Sequence, residues 1–148
     1  MSFLSTKLFN FQVILSYLGL LPFIYVLLDI HIINIFLINI LKDFIIYYTL
    51  LIFTFIGAMR WNFKILNNQF LILYGFIPSL TSTILIVFYI ISKNQNMSLF
   101  LILVLLLFQI FFDFLISRNN NKEKPFFFST RLPLTTIILL HIFYLIFV

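Results

Sequence analysis

The sequence predicts an all-α polytopic membrane protein: a bundle of about five transmembrane helices, N-terminus inside and C-terminus outside. Three observations carry this. The 148 residues are 64% hydrophobic and only 9% charged, where a soluble domain carries about 25% charged residues. Several apolar runs reach the ~17–25 residues that a helix needs to cross a bilayer. Backbone polar groups in hydrocarbon must be satisfied within their own segment, so each run is expected to be helical. One membrane domain over 1–148 is the natural count.

The spans are expected at about 11–28, 44–59, 70–91, 98–116 and 132–148. The first apolar run has a single basic residue before it, Lys7, and no small-x-small site after it, so it reads as a retained anchor rather than a cleaved signal. Lys7, Arg60, Lys64, Arg118, Lys122, Lys124 and Arg131 fall on one side of these spans, against Lys42 and Lys93 on the other. The positive-inside rule makes the basic side the inner one. The net charge of +5 is accordingly assigned to orientation and anionic lipid, not nucleic acid. There are no cysteines, so no disulfide or thiolate site is available.

Between the first two spans, "DIHIINIFLINILKD" (29–43) places His31, Asn34, Asn39 and Lys42 on roughly one side of a helical wheel. It reads either as an interfacial amphipathic helix or as an extension of span two. "NNNKEK" (119–124) is a short polar turn, and "FFF" (126–128) is expected to return to the headgroup region. Thr130 or Ser129 is expected to cap span five, with Pro133 in its first turn, where a missing N–H costs little.

"FIGAMRWN" (55–62) ends span two with Arg60 and the only tryptophan, Trp61. Arg131 opens span five from the same side, Asp113 lies about one turn inside span four, and Gln109 shares its helical face. A carboxylate at that depth needs a partner, and an arginine fork suits it. Asp113 pairing with Arg60 or Arg131 would pin spans two, four and five; the alternative is an anion or proton site. Trp61 reads as an interface anchor.

Phe, Ile, Asn and Lys, whose codons are AT-rich, abound, so residues with GC-rich codons that persist are candidates for constraint: Gly19, Pro22, Gly57, Ala58, Trp61, Gly75, Pro78, Pro125 and Pro133. Pro78 lies deep in span three and is expected to kink it, with hydroxyls in "SLTST" (79–83) answering freed carbonyls. Such a patch serves either close packing or a cavity. Pro22 with Gly19 suggests a second kink, and Gly57 with Ala58 leaves room for a neighbouring helix. His141, mid-span, reads as a packing residue, with proton relay or haem ligand as alternatives. No nucleotide loop, zinc spacing or nucleophile elbow appears, so no catalytic, cofactor or metal set is expected.

"YLGLLPFI" (17–24), "YTLLIFTFIGAMRWN" (48–62), "GFIPSL" (75–80), the Gln109/Asp113 helix and "RLPLT" (131–135) occur in this order. Together, over about 13–140, they resemble an uncharacterised family of small membrane proteins, domain of unknown function 3429. That family includes the animal mitochondrial transmembrane protein 69 and is common in proteobacteria. The matching positions are Gly19, Pro22, Gly57, Arg60, Trp61, Pro78, Asp113, Arg131 and Pro133. The chain departs from the family pattern at Ala58, which replaces a second glycine, and at "FFFST", which lacks a Trp-Tyr pair and a basic residue before "RLPLT". The resemblance implies a five-span inner-membrane protein, in bacteria or mitochondria, and implies no activity.

The function expected from all this is non-enzymatic: an accessory or assembly subunit of an energy-transducing membrane complex, its partners the bilayer and other membrane subunits. The alternative is a small transporter or channel for a proton or small anion; an enzyme or haem protein using His141 ranks behind both. A reporter fused after Val148 should be active on the outer face of the membrane; inner-face activity would overturn the five-span topology.

Overall fold

The computed structural model describes residues 13–58, 69–119 and 124–148. These residues are almost entirely helical, with no strand among them. Five helices are long and apolar enough to cross a membrane: α1 (Val13–Ile33), α2 (Ile38–Gly57), α3 (Gly75–Ser92), α4 (Gln95–Arg118) and α5 (Lys124–Phe147). As helices, α2 extends to Ala58, α3 begins at Gln69 and α4 ends at Asn119. Large apolar side chains stand exposed along every one, among them Leu21, Phe55, Ile84, Phe108 and Leu140. That is far more exposed apolar surface than a water-soluble monomer tolerates. The chain is an integral, multi-pass membrane protein.

Several helices run past the spans expected from hydropathy, with α2 beginning at Ile38 rather than near 44, α4 at Gln95 rather than near 98 and α5 at Lys124 rather than near 132, because capping and turn geometry, not hydropathy, end a helix. At α4, the Met97 N–H donates to Asn94 Oδ1 at 3.1 Å. Asn94 thus caps a helix that starts at Gln95, about a turn before the apolar run. Lys93, in the left-handed region at φ 51°, closes α3 just before it.

The stretch 29–43 is not one interfacial helix: from Ile38 on it extends span two, and only its first part departs from that reading. Asp29–Ile33 continues α1 as a π-helical turn, and α2 already begins at Ile38. The division is made by Asp29, whose side chain is fully buried. Its carboxylate accepts the N–H groups of Ile35 at 3.4 Å and Phe36 at 3.1 Å. Asn34 turns the chain at φ 53°, a conformation asparagine tolerates better than most residues. An amphipathic pattern therefore spans a turn rather than a single helix.

The described residues group into two compact units, one within Met1–Leu37 and Leu103–Val148, the other within Ile38–Ile102. In the second, α2 and α3 run antiparallel. Leu41, Ile45, Ile46, Leu50 and Phe53 of α2 are buried at helical spacing. Ser82 of α3 donates to the Leu50 carbonyl at 3.3 Å. At one end of this pair, a Cβ on Gly57 would lie 2.8 Å from Pro78 Cγ and 2.9 Å from the Gly75 carbonyl oxygen. Glycine here permits a close backbone crossing.

Pro78 sits inside continuous helix. Its missing N–H frees the carbonyl four residues back, at Tyr74. The neighbouring hydroxyls do not replace that bond. Ser79 donates to Phe76 O, Thr81 to Ile77 O and Pro78 O, and Thr83 to Ser79 O. They reinforce the turns around and after the proline instead. In α1, the α-helical pattern gives way at Gly19–Leu20, where the Gly19 and Leu20 N–H groups donate three residues back, at 3.2 and 3.0 Å. This tighter turn precedes Pro22, which has no N–H for a helical bond.

Gly57→Ala should lower stability despite alanine's better helix propensity. Overpacking costs about 1–3 kcal/mol and propensity returns about 1 kcal/mol, leaving a net loss of up to about 2 kcal/mol, larger for Gly57→Leu. Denaturant unfolding in detergent micelles measures it, and undiminished stability in both variants would contradict the crossing.

Candidate functional site

Among the described residues, the first unit contains a buried ion pair. On α4, Gln109, Asp113 and Ser117 recur every four residues and are all buried, so one helical stripe carries three polar groups. On α5, Arg131 closes a π-helical turn, Phe127–Arg131, in which the Leu132 N–H reaches back to the Phe127 carbonyl. Arg131 Nη1 lies 2.6 Å from Asp113 Oδ2, with 11% and 5% of the two side chains exposed. The guanidinium also sits 5.7 Å from the Phe126 ring centroid, a cation–π arrangement that helps hold it in an apolar setting.

The helix that carries Arg131 starts earlier than the apolar run suggests. It begins at Lys124, so Arg131 and the residues before it are helical and span five has no N-terminus there to cap. Neither Ser129 nor Thr130 caps it: no side-chain cap bond forms at that junction, and their hydroxyls lie 3.2 Å from each other. Pro133 does fall at the first helical positions of Leu132–Phe147. Having no N–H, it leaves the Ser129 carbonyl without an α-helical donor, and Tyr17 of α1 donates its hydroxyl there at 3.0 Å. Phe127, which is buried, packs against Phe114 of α4 with ring centroids 6.1 Å apart.

Of the two partners the sequence offers Asp113, Arg131 is in contact; Arg60 and Trp61 lie outside the described residues. Gln109 lies one turn from Asp113 on the same face. Gly57 and Pro78 meet in the other unit, at the crossing described above. His141 is 5% exposed, and its ring meets the Phe23 ring edge-on at 5.2 Å. Among the described residues, neither of its ring nitrogens has a hydrogen-bond partner. No three of the described His, Asp and Glu residues gather as metal ligands.

A second polar cluster escapes sequence reasoning. In the second unit, Asp43 of α2 accepts hydrogen bonds from the Tyr89 hydroxyl and from Gln95 Nε2. Gln95 also donates to the Asn39 carbonyl at 2.8 Å, and Lys42 Nζ donates to Asn96 Oδ1 at 3.1 Å. These bonds tie α2 to α3 and to the start of α4. The available signal was the acid–base pair Lys42–Asp43 standing opposite "KNQN" (93–96) across two spans. Reading 29–43 as a single loop-side segment hides it.

Breaking the pair on one side leaves the other charge buried and unpaired. Asp113→Asn and Arg131→Gln should each lower stability by about 3 kcal/mol, because each strands a buried polar partner. The double variant should lose less than the two losses added, by about 1–3 kcal/mol. Denaturant unfolding of the four proteins in micelles decides it; additive losses would mean that the pair is not coupled.

Residues 10–147 match the family described as Protein of unknown function (DUF3429). No curated protein and no solved structure matches the chain. The match takes in all five helices, the Asp113–Arg131 pair and the Gly57–Pro78 crossing, and the chain belongs to the DUF3429 family.

Proposed function

We propose that this protein is a non-enzymatic accessory or assembly subunit of a complex in an energy-transducing membrane, the bacterial plasma membrane or the mitochondrial inner membrane, with its N-terminus inside. The observation that carries this reading is the use made of Asp113 and Arg131. The two charges neutralise one another at 2.6 Å and join α4 to α5. Asp43, Lys42 and Asp29 are likewise bonded within their own units. Polar groups bonded in this way specify which helices pack together. Substrate sites instead present convergent groups to a cavity. The long exposed apolar faces can take lipid or the spans of another subunit equally well.

The test is gentle-detergent purification of the tagged protein from its own membrane, followed by a native gel with mass spectrometry of each band. Migration within a larger assembly of defined subunits is the expected result, and Asp113→Asn should reduce the amount assembled. Migration alone or as a small homo-oligomer would remove the accessory reading. Liposome flux assays of Asp113 and Pro78 variants would then test transport of a proton or small anion.

A further inference from the structure

Among the described residues, His141 is, like Thr49, a buried polar side chain without a hydrogen-bond partner. The ion pair and the Asp29 turn satisfy their own atoms, whereas an imidazole with both nitrogens buried and unbonded is destabilising unless something small reaches it. Its surroundings indicate from which end. Measured along α5 at about 1.5 Å per residue, His141 lies about 15 Å from Arg131. Between them, about 10 Å from the ion pair on each helix, stand Ile138 of α5 and Leu106 of α4. Both are buried and apolar. Toward the other end of α5, the next turn carries Tyr144, whose hydroxyl lies 3.0 Å from His31 Nε2. His31 is exposed.

We propose that His141 is a proton- and water-accepting site, reached from the His31–Tyr144 end of the first unit and closed toward the Asp113–Arg131 end by the Leu106 and Ile138 layer. A proton taken up by His31 passes from its Nε2 to the Tyr144 oxygen. The hydrogen already on that hydroxyl moves through one water to a ring nitrogen of His141. His31 returns to the neutral imidazole, Tyr144 stays a neutral phenol and His141 becomes an imidazolium. Only N–H and O–H bonds form and break, and no electron moves. The buried carboxylates on the three helices of this unit are held elsewhere. Asp29 of α1 accepts backbone N–H groups, and Asp113 of α4 is paired with Arg131 of α5. The proposal stands independently of the accessory-subunit reading.

The 148-residue chain, labelled with [15N]histidine and held in lipid nanodiscs, has His31 and His141 as its labelled rings, and His31→Gln assigns them. We expect His141 to exchange its ring proton with water and to reach the imidazolium signal as the pH is lowered. Tyr144→Phe should slow the exchange at least about tenfold, since it removes the relaying hydroxyl. Should Tyr144→Phe fail to fold, His31→Gln, at an exposed position, should produce the same slowing. A His141 ring fixed in one neutral tautomer without water exchange, or exchange unchanged in the variant that folds, would overturn the proposal.

Discussion

Hydrocarbon offers no hydrogen-bond partner, so each polar group of a spanning segment must find one inside the protein. Most of the distinctive geometry of this chain follows from that constraint. Three of the four prolines, Pro22, Pro78 and Pro133, remove a backbone donor beyond the first turn of a spanning helix, and they are handled differently. At Pro133 the orphaned Ser129 carbonyl receives the hydroxyl of Tyr17 from another helix. At Pro78 a run of hydroxyls folds back onto nearby carbonyls. Just before Pro22 the chain tightens into three-residue turns. Only the first of these answers a missing bond with a tertiary contact, and it ties α1 to α5.

The same rule governs charge. Asp113 is stable at its depth because Arg131 is there, and Arg131 is there because a π-helical turn and the Phe126 ring hold it. Asp29 takes another solution, using backbone N–H groups released by the turn after α1. Asp43 takes a third, with a phenol and an amide. In each case the bonds reach between helices or close a helix end, so satisfying the group and fixing the packing are one event. Small residues complement this: where Gly57 meets Pro78 and Gly75, absence of a side chain sets the approach.

The existence and class of the five helices were legible in the sequence, because length and apolarity alone decide whether a segment can cross a bilayer. So was the need of Asp113 for a cationic partner, since a lone carboxylate in lipid is costly whatever the fold. Helix ends were not legible, because Asn94 and Asp29 set them through cap geometry, and a hydropathy pattern does not record which N–H a carboxylate will reach. Nor was the choice of Arg131, the carbonyl that Tyr17 would find, or the cluster joining Asn39, Asp43, Tyr89 and Gln95. Those bonds link residues far apart in the chain, and their partners are fixed only when helices pack in a particular register. The sequence by itself determined that this chain spans a membrane and which polar groups would need partners. The tertiary structure decided who the partners are, and left His141 buried without one among the described residues, because pairing depends on distances of a few ångströms that only packed helices define.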